Sequence, residues 1–271
     1  MTQQYSAKVK TMYTTIWKRM TARFTIKAWL KLGLIIIGFF ASSLLLFFFF
    51  PQLLFAWSVS ANNLTLYCDQ AFLMEDGRNV LELVQAKLSR SPLYSSCDHY
   101  AFFICNSKWR QMIFFFANNR AAGLSYYPFT SNVFLRGAAL EENRLISPSG
   151  KPDIFGRTLD HFIVHEITHV LTGKSVGGRN LYCLPDWIKE GYAEYVAIGN
   201  AFNYEEAAQA FLDGDPKMNV PPSAPYLRNI LLVAYLLEKQ QWSPTKMFEA
   251  SISQDEVETR LKAELSQKKR Q

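Results

Sequence analysis

The feature that most constrains this chain is an uncharged apolar run near its N-terminus, GLIIIGFFASSLLLFFFFPQLLFAW, at residues 33–57. Its 25 residues exceed the ~20 that a helix needs to cross a bilayer. So many Leu and Phe residues without a polar face are not typical of a helix in a soluble core. We therefore predict a transmembrane segment at residues 32–57, followed by a separate domain at residues 62–271.

Charge is distributed unevenly about this run. Residues 1–56 hold seven Lys and Arg and no acid, whereas the rest of the chain has 22 basic and 23 acidic residues. The net charge of +6 therefore belongs to the N-terminal tail, residues 1–31, and does not indicate a nucleic-acid partner. Basic residues before a transmembrane helix stay in the cytoplasm, so we expect an extracytoplasmic C-terminal domain, periplasmic in a Gram-negative bacterium.

Two questions about processing stay open at this stage. A cleaved signal peptide is the alternative to an uncleaved signal anchor, because VSA at residues 59–61 resembles a cleavage site. The apolar run is longer than the usual ~7–15 residues and the basic region before it is long, so we favour the anchor. The four cysteines (Cys68, Cys97, Cys105 and Cys183) all follow the run, and both disulfides and buried free thiols are compatible with that.

The rest of the chain predicts an α+β fold, in which a small sheet precedes a series of helices. Residues 69–90 have the apolar spacing of a helix, and short strands are predicted at residues 100–105, 111–117 and 132–137. For residues 111–117 a membrane-dipping patch is the alternative to a buried strand. A loop is predicted at 147–156, and helices at about 157–172, 186–200, 203–213, 226–241 and 254–268.

One of these helices carries HEITH at residues 165–169. His165 and His169 are four residues apart, so they project from one helix face and can reach a single Zn²⁺. Glu166 falls beside the open coordination position, where it can accept a proton from water. His161 lies one further turn back, too far to join the same ion, and we interpret it as a supporting or core-facing residue.

A third ligand is predicted in LPDWIKEGYAEY, residues 184–195. Trp187, Ile188 and Tyr192 mark the buried face of a second helix. Glu190 follows His169 by 21 residues, which leaves room for a loop and a returning helix. Glu194 lies one turn later on the same face, where it can orient a ligating histidine through the free ring N–H.

HEITH followed by WIKEGYAEY resembles the gluzincin branch of zinc metallopeptidases, which includes thermolysin and the aminopeptidase N group. The resemblance implies a zincin-like fold in which His165, His169 and Glu190 bind Zn²⁺ and Glu166 is the general base. Glu194 matches a carboxylate of the thermolysin-like enzymes. YLRNILLVAYLLE, residues 226–238, resembles a helix that begins with a catalytic tyrosine, which implies an oxyanion donor at Tyr226 and a second tyrosine at Tyr235. A packing role for both tyrosines remains the alternative.

The resemblance implies a membrane-anchored zinc metallopeptidase acting on a peptide or protein substrate. The glycine-methionine-glutamate-asparagine loop of the aminopeptidases is absent, which favours an endopeptidase or a narrow-substrate member. Residues 132–137 precede the metal helix as an edge strand does in these folds, with an interior strand as the alternative. Two other functions stay open: a non-catalytic binding or assembly protein on a zincin scaffold, and a zinc hydrolase of a non-peptide bond.

Overall fold

The computed structural model describes residues 2–146, 156–219 and 226–268. The chain divides into two compact units, Met1–Phe48 and Phe49–Gln271. The first unit lies within a single helix, α1 (Thr2–Phe49). Its segment Lys27–Phe49 has a mean hydropathy of 2.5 and is long and apolar enough, by length and composition, to cross a membrane.

The apolar helix ends earlier than the sequence predicts. Phe50 leaves the helical conformation (φ −127°, ψ 56°), and Pro51–Leu54 form a 3₁₀ turn. Proline has no backbone N–H to continue the helix and disfavours helical angles at the residue before it, which explains the break. The predicted span of residues 32–57 is therefore too long at its C-terminal end. The VSA sequence at residues 59–61 lies in a paired strand, so cleavage after it would remove that strand from the sheet.

The second unit is built on a mixed five-stranded sheet of β1 (Trp57–Ala61), β2 (Leu64–Cys68), β3 (Tyr100–Cys105), β4 (Gly123–Ser125) and β5 (Val133–Arg136). The strand order is β1-β2-β3-β5-β4. The central strands β2, β3 and β5 are parallel, whereas β1 and β4 are antiparallel to their neighbours and form the two edges. A small second sheet pairs β6 (Ala138–Ala139) with β7 (Arg144–Leu145).

The predicted strands at residues 100–105 and 132–137 are confirmed as β3 and β5, and β5 is an interior strand. The predicted strand at residues 111–117 is wrong, because Lys108–Phe114 form helix α3. Asp69 accepts hydrogen bonds from the backbone N–H groups of Asn106 and Ser107, each at 2.8 Å, just before this helix begins. Helix N-termini leave N–H groups unpaired, so this distant carboxylate stabilises a helix that local sequence does not indicate.

Two different layers cover the sheet. One face carries aliphatic side chains such as Leu66, Ile104 and Leu135, which belong to the main core with α2 (Met74–Leu88) and α4 (Leu159–Val176). The other face is aromatic: Phe134 stacks on Phe103 and Phe114, with ring centroids 5.4 and 4.3 Å apart. Phe55 packs against the same group, so α3 and the segment before β1 cover one face of the sheet together.

Helices dominate the C-terminal half, as the sequence predicts. After α4 come α5 (Asp186–Ile198), α6 (Tyr204–Leu212), α7 (Leu227–Ala234), α8 (Pro244–Glu249) and α9 (Gln254–Lys268). A π-helical turn, Tyr235–Lys239, continues α7. The short helix α8 was not predicted, and the predicted loop at residues 147–156 lies outside the described residues except for Gly156. All four cysteines are free: Cys68 and Cys105 are buried, and Cys97 and Cys183 are exposed.

Candidate metal centre

The centre is built on helix α4, which holds both histidines of HEITH on one face. The Nε2 atoms of His165 and His169 lie 3.1 Å apart. Their spacing follows from the helix repeat, since residues four apart sit one turn above each other. Both side chains are largely buried, with 13 % of each exposed. Helix α4 itself is fixed between α2 and α5, so the histidine pair is presented from a rigid element.

Helix α5 brings Glu190 to the same point. Its Oε2 lies 3.4 Å from Nε2 of His165 and 3.6 Å from Nε2 of His169. The predicted buried face of α5 is confirmed, because Trp187, Ile188 and Tyr192 are all in the core. Gly191 lets α7 approach closely behind Glu190, since a Cβ at this position would lie 2.8 Å from the backbone oxygen of Asn229.

The three donor atoms form a nearly equilateral triangle with sides of 3.1, 3.4 and 3.6 Å. The point in its plane that is equidistant from the three atoms lies about 1.95 Å from each, close to the bond lengths that divalent metals make with imidazole and carboxylate. His165, His169 and Glu190 could therefore hold one metal ion. Sequence reasoning predicted this set, and the structure brings all three residues together.

Glu194 lies one turn after Glu190 and connects two histidines of α4. Its Oε1 is 3.1 Å from Nδ1 of His165, close enough for an ion pair although the ring N–H is not aimed at it for a hydrogen bond. Its Oε2 is 2.8 Å from Nε2 of His161. His161 thus supports Glu194 and does not join the donor triangle. Arg157, which sequence reasoning missed, adds a third contact to Glu194 at 3.5 Å.

The histidines and carboxylates of the centre shift each other's pKa values. Burial opposes ionisation of His165, but the carboxylates of Glu190 and Glu194 outweigh it and raise the pKa of His165 to about 10. Burial likewise opposes ionisation of the two carboxylates, and contacts to the histidines instead hold the pKa of Glu190 and of Glu194 well below the ordinary range. A proton and a metal ion would therefore compete for the same nitrogen atoms.

Glu166 lies beside this group, directly under the edge strand β4. A Cβ at Gly123 would be 2.7 Å from Cγ of Glu166, so only glycine leaves room for the side chain. Burial raises the pKa of Glu166, and the neighbouring histidines and a hydrogen bond from Ser125 oppose that rise. A carboxyl whose pKa is moved towards neutrality can both accept and release a proton at physiological pH. The sequence singles out Glu166 but gives no sign of the strand above it.

Tyr226 lies near the two carboxylates, immediately before α7. Burial and the negative charges of Glu190 and Glu194 raise the pKa of its hydroxyl to about 12. Tyr235 is placed elsewhere, because its hydroxyl donates to Glu264 of α9 at 3.0 Å. Of the two tyrosines in the predicted helix, Tyr226 is the one whose pKa responds to the carboxylates of the centre.

When the chain is scanned against protein-family models and curated protein sequences, none of them matches it. The chemistry of the centre is therefore inferred from its geometry.

Proposed function

We propose that this protein is a membrane-anchored zinc metallopeptidase of the gluzincin type. The observation that carries the proposal is the position of Glu166: a half-buried carboxyl beside two histidines and a glutamate, under strand β4, which is an edge of the sheet among the described residues. A centre that only holds a metal for stability has no use for an additional carboxylate, outside the donor triangle, at this place. A hydrolase needs one as a general base.

The donor set supports zinc as the metal. Two imidazole nitrogens and one carboxylate oxygen are a ligand set of catalytic zinc sites, which leave one position open. When bound, zinc would act as a Lewis acid that polarises a carbonyl and makes water easier to deprotonate. His165, His169 and Glu190 would hold the ion, and Glu194 would keep His165 oriented through its other ring nitrogen.

The remaining chemistry belongs to side chains of the protein. Glu166 would accept the proton of the attacking water and hand it to the leaving amine. Tyr226 keeps its proton at neutral pH because its pKa is about 12, so its hydroxyl can donate a hydrogen bond to the developing oxyanion. Together these groups supply a base, an acid and an oxyanion donor for amide hydrolysis.

The sheet edge indicates the class of substrate. Within the part of the chain that the structure describes, strand β4 pairs with β5 on one side only, and it passes over Glu166. Strand β5 (residues 133–136), which the resemblance suggested as the edge, lies inside the sheet. An extended peptide can add to a free edge through main-chain hydrogen bonds. We therefore assign peptide binding to β4 and not to residues 132–137.

We also propose that the apolar part of α1 crosses the membrane once, with the N-terminus in the cytoplasm and the candidate centre outside it. The support is the helix Lys27–Phe49 together with the seven basic residues and no acid among residues 1–56. A reporter fused after Gln271 that is active only outside the cytoplasm is the expected result, and one active only inside would overturn the assignment.

The test of the peptidase proposal is Glu166→Gln in the full-length chain. Glutamine keeps the size of the side chain but cannot accept the proton, so turnover should fall by about 10²–10⁴-fold while zinc content stays normal. Glu249→Gln, at an exposed position on α8, is the matched control and should behave like wild type. His169→Ala is the metal-loss control, because it removes one corner of the donor triangle.

Comparing cleavage products across the proteome separates the proposal from its rivals. Peptides that appear with wild type and disappear with Glu166→Gln support a peptidase. If Glu166→Gln binds zinc and restores the phenotype of a deletion as well as wild type, the protein is a binding or assembly protein. If Glu166→Gln loses function but no peptide products differ, the bond cleaved is not a peptide bond.

A further inference from the structure

Helix α3 exposes large apolar side chains that the candidate centre does not use. Met112 is 76 % exposed, Phe116 71 % and Trp109 47 %. Trp109 and Met112 are three residues apart and so share one side of the helix, and Phe116 follows just after the helix ends. We call these three residues the α3 face. Three large apolar side chains exposed within eight residues are typical of a surface that contacts a partner or a membrane.

The segment that leads into β1 extends this surface. Phe50 and Leu53 are exposed there, at 51 % and 66 %. Arg110 of α3 ties this segment to the helix, because its Nε donates to the carbonyl oxygen of Leu54 at 2.8 Å. The same guanidinium lies 4.2 Å from the ring centroid of Trp109. The exposed groups of the segment and of α3 therefore lie on neighbouring elements.

The position of this segment in the chain indicates what the surface contacts. Phe50 directly follows the helix Lys27–Phe49, which is apolar enough to cross a membrane. Arg110 binds the carbonyl oxygen of Leu54, which is five residues beyond the end of that helix. Five residues reach at most ~18 Å, so Leu54 lies within that distance of the helix end. The α3 face is thus tied to the point at which the chain would leave the bilayer.

The charge of this region suits an anionic surface. Residues 99–140 contain four basic residues and no acid. Arg110 pairs with the buried Asp69, and Arg136 donates to the carbonyl oxygen of Ala121. Lys108 and Arg120 are exposed and form no ion pair within the described residues. Tryptophan beside lysine and arginine is the composition of segments that lie at the interface of anionic lipids.

We propose that the α3 face (Trp109, Met112 and Phe116) docks on the surface of an anionic bilayer next to the membrane-spanning helix. Trp109, Met112 and Phe116 insert at the headgroup level, and Lys108 and Arg120 contact lipid phosphates. The proposal rests on the membrane anchor proposed above and is independent of the peptidase chemistry. Because the anchor already holds the protein at the membrane, even a weak contact would be occupied most of the time.

Photocrosslinking of the full-length chain tests this docking. The chain is placed in nanodiscs of phosphatidylcholine and phosphatidylglycerol (3:1), with a benzophenone amino acid at Met112, at Phe40 of α1, or at the exposed Glu249 of α8. We expect lipid adducts at positions 40 and 112 and about tenfold fewer at position 249. Raising the salt should lower the yield at 112, because the contact to phosphates is screened, and leave the yield at 40 unchanged.

The other outcomes each overturn a different statement. Lipid adducts at 40 but not at 112 overturn the docking and leave the anchor intact, whereas none at 40 overturns the anchor. Crosslinks between two chains at 112 make the α3 face a contact between copies. A second measurement needs no substitution: amide hydrogen exchange of wild-type α3 should be slower in the anionic nanodiscs than in pure phosphatidylcholine. Equal exchange rates in the two lipids would also overturn the docking.

Discussion

Nδ1 of His165 lies 3.1 Å from Oε1 of Glu194, on the side of the ring opposite the atom that faces Glu190 and His169. Nδ1 of the His165 ring thus contacts the carboxylate of Glu194, while Nε2 is one corner of the donor triangle. Glu194 is itself fixed by His161 and Arg157 and is only 1 % exposed. Three side chains outside the triangle, Glu194, His161 and Arg157, therefore determine the direction in which the Nε2 atom of His165 points.

Removing this support should weaken metal binding without abolishing it. We expect Glu194→Ala to raise the dissociation constant for zinc by about 10–100-fold, the usual effect of losing a partner behind a ligand. Glu194→Gln keeps the size and one acceptor oxygen and should lose less. A competition titration against a chelator measures both constants. Equal zinc affinity in wild type and Glu194→Ala would show that His165 needs no partner behind it.

The contact between β4 and Glu166 gives a second prediction. Gly123→Ala places a methyl group 2.7 Å from Cγ of Glu166, closer than two carbon atoms can pack, so the glutamate side chain must move. A displacement of about 1 Å can lower a rate by ~10²-fold. We expect this loss of turnover with unchanged zinc content. Gly38→Ala, in α1, where an added Cβ would meet no atom within 4 Å, is the control. Normal activity in Gly123→Ala would mean that the position of Glu166 does not matter for the reaction.

Tyr226 and Tyr235 provide a matched pair. Tyr226→Phe removes the hydroxyl whose pKa the charges of Glu190 and Glu194 raise, and we expect kcat to fall by about 10²–10³-fold with little change in KM. Tyr235→Phe removes a hydroxyl that donates to Glu264 and should affect stability only. Steady-state kinetics on a peptide identified from the cleavage comparison would measure both. If the two variants have the same kcat, Tyr226 only packs.

The centre should also make the metal-free protein sensitive to pH. The pKa of Glu194 is lowered in the folded state from its ordinary 4.5, so its stabilising effect is present above pH 4.5 and is lost as pH falls through the folded value. The pKa of His165 is raised from 6.5 to about 10, so its contribution is present below pH 6.5 and is lost as pH rises through about 10.

The free energy of unfolding of the chelator-treated protein should therefore fall below pH 4.5 and above pH 6.5. Urea unfolding from pH 3.5 to pH 10.5 measures this. Glu194→Gln should show a smaller loss on the acid side, because the titrating group is gone. Zinc affinity should rise with pH over the same range, since the histidines must release protons to bind the ion. An acid-side loss of the same size in Glu194→Gln would place its origin elsewhere in the protein.

The parts of the centre that follow from local geometry could be predicted from the sequence. His165, Glu166 and His169 share one helix, and Glu190 follows on the next one, so spacing alone brings them into consideration. Strand β4 could not be predicted, because Gly123–Ser125 is three residues long and has no apolar alternation. Helix α3 does not follow from local sequence, because Asp69, which binds the two backbone N–H groups just before the helix, lies far away in the chain. Strands β1 and β2 are only five residues each, and β1 begins at Trp57, the last residue of the predicted span.

The short length of strand β4 has a consequence for aggregation of the protein. A free sheet edge invites pairing with any extended chain, including another copy of the same protein, and natural proteins limit this by keeping edge strands short. With three residues, β4 offers only a few main-chain hydrogen bonds. An edge of that length can bind an extended peptide transiently, but it is too short to start an intermolecular sheet between copies of the protein.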